Sequence, residues 1–512
     1  MSARALMVLG TGSDAGKSLT VAALCRILRQ DGLSVAPFKA QNMALNSFAT
    51  FEGHEIGRAQ AMQAEAAGIA PHVDMNPILL KPTSDIGSQV ILNGKVLGNF
   101  RGVDYYGLRD QLMVTVSDAY QRLASRYDVI VLEGAGSPVE MNLKDRDVVN
   151  MKMAEVADAK CILVADIDRG GVFASLVGTY SLLEPEERDR FCGFLINKFR
   201  GELSLFTSGV DYLEQKLAQP CLGVVPYLYN HGIDDEDSVS IERRQVAAPS
   251  IDDHRLSVCV VAYPYLSNFT DFTALEQQPD VVVYYSRKPG DARLADVLIL
   301  PGSKNTVSDL EWLKNNSWQT AIESHIASGK PLLGICGGFQ MLGQAIRDPH
   351  KTESNVEAVN ALGIMDIETT LAREKITRQA VATLHDSDRL LFSGYEIHLG
   401  DTRLGANLTP LLRLQRVGDD DWHDDGAVTH EGRIIGSYLH GLFDCVEGLK
   451  WILEKWRHTC GKPSLKTMMV DPKAERERRY DALADHFRQH IKMNIIHRAT
   501  SSEPKGKANN VR

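Results

Sequence analysis

The chain has 512 residues, a net charge of −10 and an apolar fraction of 44%. These values predict a globular protein of more than one domain, because single cores rarely grow beyond about 250–300 residues. The acidic balance, with basic residues scattered, argues against a nucleic-acid partner, and no run of about 18 apolar residues predicts a membrane span. The eight cysteines form no CxxC pair, which favours reduced thiols in a cytoplasm, and we expect no signal peptide.

The first predicted element is a strand that runs through a glycine-rich loop into a helix. The strand is the apolar run Ala5–Leu9, and the helix presents one apolar face, formed by Val21, Leu24, Cys25 and Leu28. Glycines such as Gly12 and Gly16 let backbone N–H groups converge on phosphate oxygens at the positive end of a helix. In such a loop Lys17 reaches the terminal phosphates and the Ser18 hydroxyl binds Mg²⁺.

The loop has one irregularity relative to the common phosphate-binding pattern. The glycine expected five residues before Gly16 stands one position earlier, at Gly10, and Thr11 takes its place. The loop resembles that of dethiobiotin synthetase and its relatives, which carry the same extra residue. It lacks the additional lysine, at the position of Gly12, that marks the ParA/MinD switch ATPases. A plain glycine-rich turn with a surface lysine is the alternative interpretation.

A polar segment follows the second predicted strand, Leu33–Lys39. It reads PFKAQNMALNS and covers residues 37–47. Ligands of parallel α/β sheets lie at such strand ends, so Lys39 is a candidate for binding the transferred phosphate. Three amides are weaker candidates for hydrogen bonds to a substrate: Gln41, Asn42 and Asn46. A polar loop that caps the next helix, predicted over Gly57–Gly68, explains the composition equally well.

Glu133 stands at the end of the next buried strand, Val129–Leu132, beside two glycines. A carboxylate in that place can bind Mg²⁺ opposite the phosphate loop, although a solvent-facing glutamate is the alternative. Strands at Cys161–Ala165 and Gly193–Ile196 follow, and the second of them ends in Asn197. Alternating apolar strands and helical segments predict a doubly wound parallel sheet.

The domain division follows from a change in composition. A strand at Leu222–Leu228 closes the first pattern, so we predict a first domain over 1–231 and a charged linker over 232–255. A second α/β domain is predicted over 256–498, with a polar, disordered tail at 499–512. Its first elements are three strands and one helical segment, Leu256–Ala262, Val281–Tyr285, Asp296–Leu300 and Ser308–Ser328. A final helix carries an apolar stripe that predicts core contact, formed by Tyr480, Leu483, Phe487 and Ile491.

Cys336 stands at a strand-to-helix turn of the second pattern. The strand is Leu332–Ile335, and the turn has the glycine-flanked form of a nucleophile elbow. A helix N-terminus lowers the pKa of a thiol placed there. The N–H of Gly337 and one from the turn at Gly302 and Ser303 are candidates for an oxyanion hole. A buried structural cysteine is the alternative.

A thiol nucleophile needs a base, and His440 is the best candidate because it follows an apolar strand in RIIGSYLHGLFD. His430 and His398 are rivals by residue type. Residues 331–343 and 434–444 resemble a class I glutamine amidotransferase domain. The resemblance implies that Cys336 is the nucleophile, that His440 is the catalytic histidine and that Gln340 helps to hold glutamine.

One position departs from that family. A glutamate usually follows the catalytic histidine by two residues, and this chain has Leu442 there. The departure is typical of the amidotransferases of corrinoid biosynthesis and of cell-wall amidation. It leaves open whether another group or simple packing orients His440; Asp444 is the nearest acid in sequence.

Nearly the whole chain resembles the cobyric acid synthase family. The motifs that carry the resemblance, in order, are PFKAQNMALNS, VLEGAGSPVE, ADIDRGGVFAS, INKFRG, LPGSKNT, GICGGFQMLG, SGYEIHLGDT and SYLHGLFD. The resemblance implies two doubly wound α/β domains, a P-loop NTPase domain and a flavodoxin-like class I amidotransferase domain. The resemblance of the phosphate loop to the dethiobiotin synthetase group implies that Asn197 reads the adenine of ATP.

The implied activity is the ATP- and glutamine-dependent amidation of the b, d, e and g carboxylates of adenosylcobyrinic acid a,c-diamide. ATP and Mg²⁺ would serve it without a tightly bound prosthetic group, and all partners would be small molecules. The motifs support this chemistry independently, because a carboxylate needs phosphoryl activation before ammonia can attack it. Two alternatives are another glutamine-dependent amidoligase, on cobyrinate or cell-wall substrates, and a switch ATPase with a decayed amidotransferase domain. The sequence does not indicate an oligomeric state.

Overall fold

The structure, a computed structural model, describes residues 3–84, 87–229, 231–233, 254–354, 356–429, 432–464 and 469–501. We call the part up to residue 233 the first domain and the part from 254 to 464 the second domain. Most of the predicted linker, 234–253, and the tail from 502 lie outside the described residues, as does His430. Within the described residues, no helix has the length and apolarity needed to cross a membrane.

The elements of the first domain alternate between strands and helices. In chain order they are β1 (Arg4–Gly10), α1 (Lys17–Gln30), β2 (Val35–Phe38), β3 (Gln41–Met43), β4 (Ser47–Ala49), β5 (Glu55–Gly57), α2 (Arg58–Ala67), β6 (Ile78–Ser84), β7 (Gly87–Leu92), β8 (Lys95–Arg101), α3 (Gly102–Tyr106), α4 (Arg109–Ala124), β9 (Val129–Glu133), α5 (Met151–Val156), β10 (Lys160–Asp166), α6 (Val172–Leu182), α7 (Pro185–Arg188), β11 (Phe191–Phe199), α8 (Thr207–Leu217) and β12 (Cys221–Pro226). Short 3-10 turns lie at Val73–Met75, Lys144–Arg146 and Leu203–Phe206.

The second domain is richer in strands. Its elements, followed by the last two helices of the chain, are β13 (Leu256–Val261), β14 (Leu266–Ser267), α9 (Thr273–Glu276), β15 (Val281–Ser286), β16 (Val297–Leu300), β17 (Gly302–Ser303), α10 (Thr306–Asn315), α11 (Trp318–Ala327), β18 (Leu332–Ile335), α12 (Gly337–Met341), β19 (Ala345–Arg347), β20 (Ala358–Asn360), β21 (Ile367–Leu384), β22 (Leu390–Leu404), β23 (Leu412–Arg416), β24 (Trp422–Asp425), β25 (Ala427–Thr429), β26 (Ile434–Ser437), α13 (Val446–Thr459), α14 (Pro472–His490) and α15 (Met493–Thr500). Two 3-10 turns lie at Phe269–Phe272 and Pro289–Leu294.

The first domain is built on a parallel six-stranded sheet of order β12-β11-β10-β1-β9-β2. Its central strand β1 is buried on both faces. Leu6 and Val8 pack against α1, while Met7 and Leu9 pack against the helices of the opposite face. Helices therefore cover both faces, and the predicted doubly wound α/β sheet is confirmed.

The second domain has a sheet of order β15-β13-β16-β18-β26-β25, parallel except for its edge strand β25. Strand β18, which precedes Cys336, lies between β16 and β26. The segments that follow these three strands therefore meet at one edge of the sheet. This topology brings the predicted nucleophile, oxyanion donors and histidine together.

A further sheet was not predicted from the sequence. Strands β21 and β22 form an antiparallel hairpin of 18 and 15 residues, and β19, β20, β23 and β24 extend it. Charged residues interrupt these strands, and many of their positions are exposed or half-buried. The apolar runs that identify buried parallel strands are therefore absent there.

Two local predictions differ from the structure. The helical segment predicted over Ser308–Ser328 is two helices, α10 and α11, separated where Ser317 takes a φ of 61°. A positive φ interrupts the right-handed helix. Gln41–Met43, predicted as part of a loop, forms a strand that pairs with β6.

The last long helix, α14, returns to the first domain. Its apolar stripe is a core contact, as predicted, and Tyr480, Leu483 and Phe487 are buried in the same cluster as α1. Arg26 of α1 binds the carboxylates of Glu477 and Asp481 at 2.9 and 2.8 Å. The sequence pattern places this helix in the second domain, whereas its apolar face covers the sheet of the first.

Candidate active sites

The phosphate loop has the geometry of an anion site. Gly16 caps α1 with a φ of 97°, and a side chain there would collide with the amide nitrogen of Asn197. Lys17 crosses the loop, and its Nζ donates to the carbonyl oxygens of Gly12 at 2.8 Å and Gly136 at 3.2 Å. The extra residue is accommodated at Asp14, which takes a φ of 58°, a conformation that aspartate tolerates.

Glu133 lies opposite this loop because Val8 of β1 is in register with it. Its Oε1 accepts hydrogen bonds from Ser18 Oγ and Lys39 Nζ, both at 2.9 Å, and Gln63 donates to its Oε2. Two predicted residues thus meet at the carboxylate of a third, Glu133, which is 1% exposed. Gln63 was missed, because its position inside a predicted helix gave no sign of the contact.

The donor set fits a magnesium ion. In the described chain there is no cluster of three or more His, Cys, Asp or Glu side chains that could form a metal cage. Mg²⁺ usually takes one or two carboxylates and completes its shell with water and substrate phosphate. The hydroxyl of Ser18 and the carboxylate of Glu133 offer the hard oxygen ligands that such a site needs.

A cavity of about 1340 Å³ opens from the phosphate loop. The predicted residues that line it are Gly16, Lys17, Ser18, Lys39, Gln41, Asn42 and Asn197. The second domain contributes Glu276 and Tyr285, and α14 contributes Arg479 and His486. The cavity is therefore lined by both domains and by the last long helix. The sequence did not indicate the part taken by this helix.

The four predicted amides differ in their surroundings. Gln41 accepts from the Tyr105 hydroxyl at 2.6 Å, and Asn42 donates to Gln60 at 3.0 Å. Asn197 donates to the Ala15 carbonyl at 3.0 Å, so it also supports the phosphate loop. Asn46 does not line the cavity. Its Oδ1 accepts the backbone N–H of Asn268 in the second domain at 2.7 Å.

Cys336 occupies the predicted elbow. It takes a φ of 51° and a ψ of −110°, a strained conformation of the kind that concentrates at functional sites. The thiol is 7% exposed and lies 3.6 Å from the carbonyl oxygen of Ile397. Glycine is required two residues after it, because a side chain at Gly338 would collide with the carbonyl of Leu300.

His440 is held by an acid that the sequence analysis did not identify. Its Nδ1 lies 2.7 Å from Oδ2 of Asp271, and the Cys336 thiol lies near enough to favour the charged imidazole. Burial disfavours the charged imidazole, but the Asp271 carboxylate and the Cys336 contact outweigh it and raise the pKa of His440. The three side chains form a Cys–His–Asp triad.

The rival residues are placed elsewhere. Asp444 pairs with Arg476 at 3.4 Å. The ring of His398 stacks on Tyr438 and faces Glu396 at 3.2 Å. Among the described residues, His440 is thus the histidine that contacts the cysteine, and Asp271 rather than Asp444 orients it. Asp271 lies 169 residues before the histidine, so no local motif pointed to it.

Groups suited to glutamine lie around the thiol. A Cβ at Gly337 would be 2.9 Å from the Ser303 nitrogen, and one at Gly302 would be 3.3 Å from Cε1 of His440. The two predicted oxyanion segments are therefore adjacent. Gln340 donates to the Tyr438 hydroxyl at 3.3 Å, while its buried Oε1 has no hydrogen-bond partner within the described parts of the chain. A buried acceptor of this kind suits an amide substrate.

Two family models match the chain. Residues 6–234 match the CobQ/CobB/MinD/ParA nucleotide binding domain, and residues 257–447 match the CobB/CobQ-like glutamine amidotransferase domain. Neither match includes α14.

Curated relatives named cobyric acid synthase match over nearly the full length. The one from Syntrophobacter fumaroxidans is 49% identical and covers 97% of this chain and 98% of its own. The one from Streptococcus sanguinis is 48% identical, with 98% and 100% covered. A solved glutamine amidotransferase covers 40% of this chain and 98% of its own, at 17% identity and a TM-score of 0.30; this likeness carries no argument.

Proposed function

Because this chain belongs to the cobyric acid synthase family, we propose that it amidates the b, d, e and g carboxylates of adenosylcobyrinic acid a,c-diamide. Glutamine supplies the nitrogen and ATP supplies the activation. The observation that supports this most is the pairing, in one chain, of a Cys–His–Asp triad with a phosphate loop whose cavity both domains line.

In the second domain, we infer that the Cys336 thiolate attacks the side-chain amide of glutamine. His440 holds the thiol proton and passes it to the leaving nitrogen, while Asp271 keeps the imidazole oriented and stabilises its charged form. The backbone N–H groups of Gly337 and Ser303 would stabilise the developing oxyanion. Ammonia leaves, and water then releases glutamate from the thioester.

In the first domain, Lys17 and Lys39 would neutralise the phosphates of ATP while a substrate carboxylate attacks the γ-phosphorus in line. Ser18 and Glu133 would hold a magnesium ion, which supplies charge neutralisation between the phosphates when bound. The product of this step is an acyl phosphate and ADP. Ammonia then displaces phosphate and leaves a primary amide.

The site assignments are part of this proposal. Gly12, Gly16 and Asn197 would complete the ATP site, and Gln340 would bind glutamine. Gln41 and Asn42 line the cavity where a large acceptor would lie. The eight cysteines all lie in the described residues and form no disulfide, which together with the use of ATP supports a cytoplasmic enzyme.

The test uses the purified full chain with ATP, magnesium and adenosylcobyrinic acid a,c-diamide, and follows products by mass spectrometry. With glutamine, we expect four successive carboxylate-to-amide conversions. Products that stop after one step would identify a different amidoligase. ATP hydrolysis without any amide would favour the switch ATPase.

The Cys336→Ala variant separates the two half-reactions. It should lose amidation with glutamine and keep amidation with ammonium salt, because acyl phosphate formation uses groups of the other domain. The rescue should improve as pH rises toward the ammonium pKa, since only neutral ammonia is a nucleophile. A folded variant that is inactive with both nitrogen sources would contradict a dedicated glutaminase role for Cys336.

A further inference from the structure

The imidazole of His440 has three side-chain neighbours besides the thiol. Asp271 holds Nδ1, and Asn268 Nδ2 lies 3.5 Å from Nε2. The ring of Tyr395 stacks on the imidazole, with centroids 5.2 Å apart and planes 15° apart. These three side chains fix the orientation of the base from two edges and one face.

Two of these neighbours, Asn268 and Tyr395, form hydrogen bonds with the first domain. Asn268 exchanges two hydrogen bonds with it: the Ser47 N–H donates to Asn268 Oδ1 at 3.1 Å, and the Asn268 N–H donates to Asn46 Oδ1 at 2.7 Å. The Tyr395 hydroxyl donates to the Ser47 carbonyl at 3.5 Å. Asn46 and Ser47 are 1% and 0% exposed, so water does not replace these contacts.

Asn268 also sets the place of the triad acid. It takes a φ of 55° and begins the 3-10 turn Phe269–Phe272, which carries Asp271. Asparagine is one of the few side chains that tolerate this conformation. The hydrogen bonds that Asn46 and Ser47 make with Asn268 therefore affect both sides of the imidazole. They act directly at Nε2, and at Nδ1 through the turn that carries Asp271.

The same segment of the first domain reaches the cavity. Residues 41–45 line it, and the chain continues directly into Asn46 and Ser47. Lys81 donates to Ser47 Oγ at 2.9 Å and to Glu55 at 2.9 Å, and Lys375 of the second domain donates to the same carboxylate at 2.7 Å. An occupant of the cavity thus contacts a short segment whose far end, Asn46 and Ser47, is buried and touches the neighbours of His440.

From this geometry we propose that Asn46, Ser47 and Asn268 are positioning residues that couple glutamine hydrolysis to the acceptor cavity. When the acceptor orders residues 41–45, the segment holds Asn268 and Tyr395, and the triad is aligned. When the cavity is empty, the alignment is looser and glutamine hydrolysis is slower. Small misplacements suffice, since a shift of about 1 Å costs about 100-fold in rate. This inference rests on the proposed function.

The experiment measures two activities of the full chain. The first is glutamine hydrolysis with and without saturating ATP and adenosylcobyrinic acid a,c-diamide, and the ratio is the stimulation. The second is amidation driven by ammonium salt, which does not use the triad. The test variant is Asn46→Ala. The matched control is Gln379→Ala, which removes another hydrogen bond between the domains, to the Ala49 carbonyl. It leaves the hydrogen bonds of Asn268 and the backbone pairing of residue 379 with Tyr395 in place.

We expect the stimulation in Asn46→Ala to fall about tenfold, within the usual range of coupling between sites, through the kcat of glutamine hydrolysis. Ammonium-driven amidation by Asn46→Ala should stay within about twofold of wild type, because Asn46 lies outside the cavity. Gln379→Ala should match wild type in both the stimulation and the ammonium-driven amidation. Asn268→Gly is the second variant, because glycine keeps the positive φ while removing the side chain. It should lose stimulation at least as strongly.

Unchanged stimulation in both Asn46→Ala and Asn268→Gly would overturn the proposal. So would a parallel fall in ammonium-driven amidation with a raised KM for the acceptor, which would make Asn46 a substrate-binding residue. If wild type makes no amide with glutamine or with ammonium salt, the proposed function fails, which is a different outcome from unchanged stimulation in the two variants.

Discussion

At the scale of single residues, the proposed catalytic groups divide into those with a local signature in the sequence and those without one. Cys336 and Lys17 could be predicted because glycines and strand ends surround them in sequence, and the backbone geometry that makes each reactive is encoded there. Asp271 could not, because its role depends on a contact with His440 across 169 residues. The acid that orients such a histidine is determined by the folded chain. Leu442 indicated only that this acid does not stand two residues after His440.

We predict that Asp271→Asn lowers kcat for glutamine hydrolysis by about 10³- to 10⁴-fold, the loss expected of a triad acid. The amide cannot stabilise the charged imidazole, and it favours the wrong tautomer. Asp444→Asn is the matched control and should change the rate little, since Asp444 pairs with Arg476. Steady-state glutaminase assays decide the matter, and equal losses in the two variants would exclude Asp271 as the triad acid.

Lys17→Ala should abolish corrinoid-dependent ADP release and leave the fold intact. The ammonium group lies at the mouth of the phosphate loop, bonded to the carbonyls of Gly12 and Gly136, and not in the core. Release of ADP and thermal unfolding are measured side by side. Wild-type turnover in a folded variant would remove Lys17 from the mechanism.

At the scale of elements, buried parallel strands were predictable and the long hairpin was not. Strands such as β1 and β9 are apolar on both faces, so their signal is continuous. Strand β21 mixes buried and exposed positions along its length, and β22 has a buried run at 395–398 between half-buried or exposed positions. Their stability comes from pairing with each other and from polar contacts made across strands, which a single sequence segment does not display.

One such contact predicts how stability depends on pH. Glu396 of β22 is 2% exposed and accepts hydrogen bonds from Arg416 at 2.6 and 3.2 Å. Burial works against the charged carboxylate, but hydrogen bonds from His398 and Arg416 outweigh it and lower the pKa of Glu396 to about 2. A lowered pKa in the folded state stabilises the fold at neutral pH.

The free energy of unfolding should therefore fall as pH drops from about 4.5, near the ordinary value of a glutamate, toward 2. Glu396→Gln should be less stable than wild type at pH 7 and should lose this part of the acid dependence. Denaturant unfolding across the pH range measures both. A wild-type slope in the variant would assign the acid dependence to other carboxylates.

At the scale of the whole molecule, the division into two α/β domains was predictable from the change in composition near residue 231. The packing of α14 on the first domain was not predictable. An amphipathic stripe indicates that one face of a helix is buried, but it does not indicate which element that face packs against. The partner is specified by Arg26 and the apolar face of α1, more than 400 residues earlier in the chain.

We predict that Leu483→Ala destabilises the first domain by about 2–5 kcal/mol, the usual loss for a buried leucine. Leu483 is 1% exposed in the core it shares with α1. Arg478→Ala is the matched control on the same helix, since its side chain is 67% exposed, and it should stay within about 0.5 kcal/mol of wild type. Thermal unfolding with and without ATP reports the change, and equal stability of the two variants would contradict the packing of α14.

The placement of α14 also bears on how the protein is made. A ribosome releases the first domain early, and domains generally fold as units in the order of synthesis. Here one face of α1 stays uncovered until residues 472–490 emerge, after the whole second domain. The apolar surface of the nascent first domain therefore stays exposed until α14, the last part of its core, has been synthesised. The ATP cavity is therefore complete only after the second domain has been translated. A chain truncated before α14 would lack a complete ATP site, so a finished ATP site is not made without the glutaminase domain that supplies its ammonia.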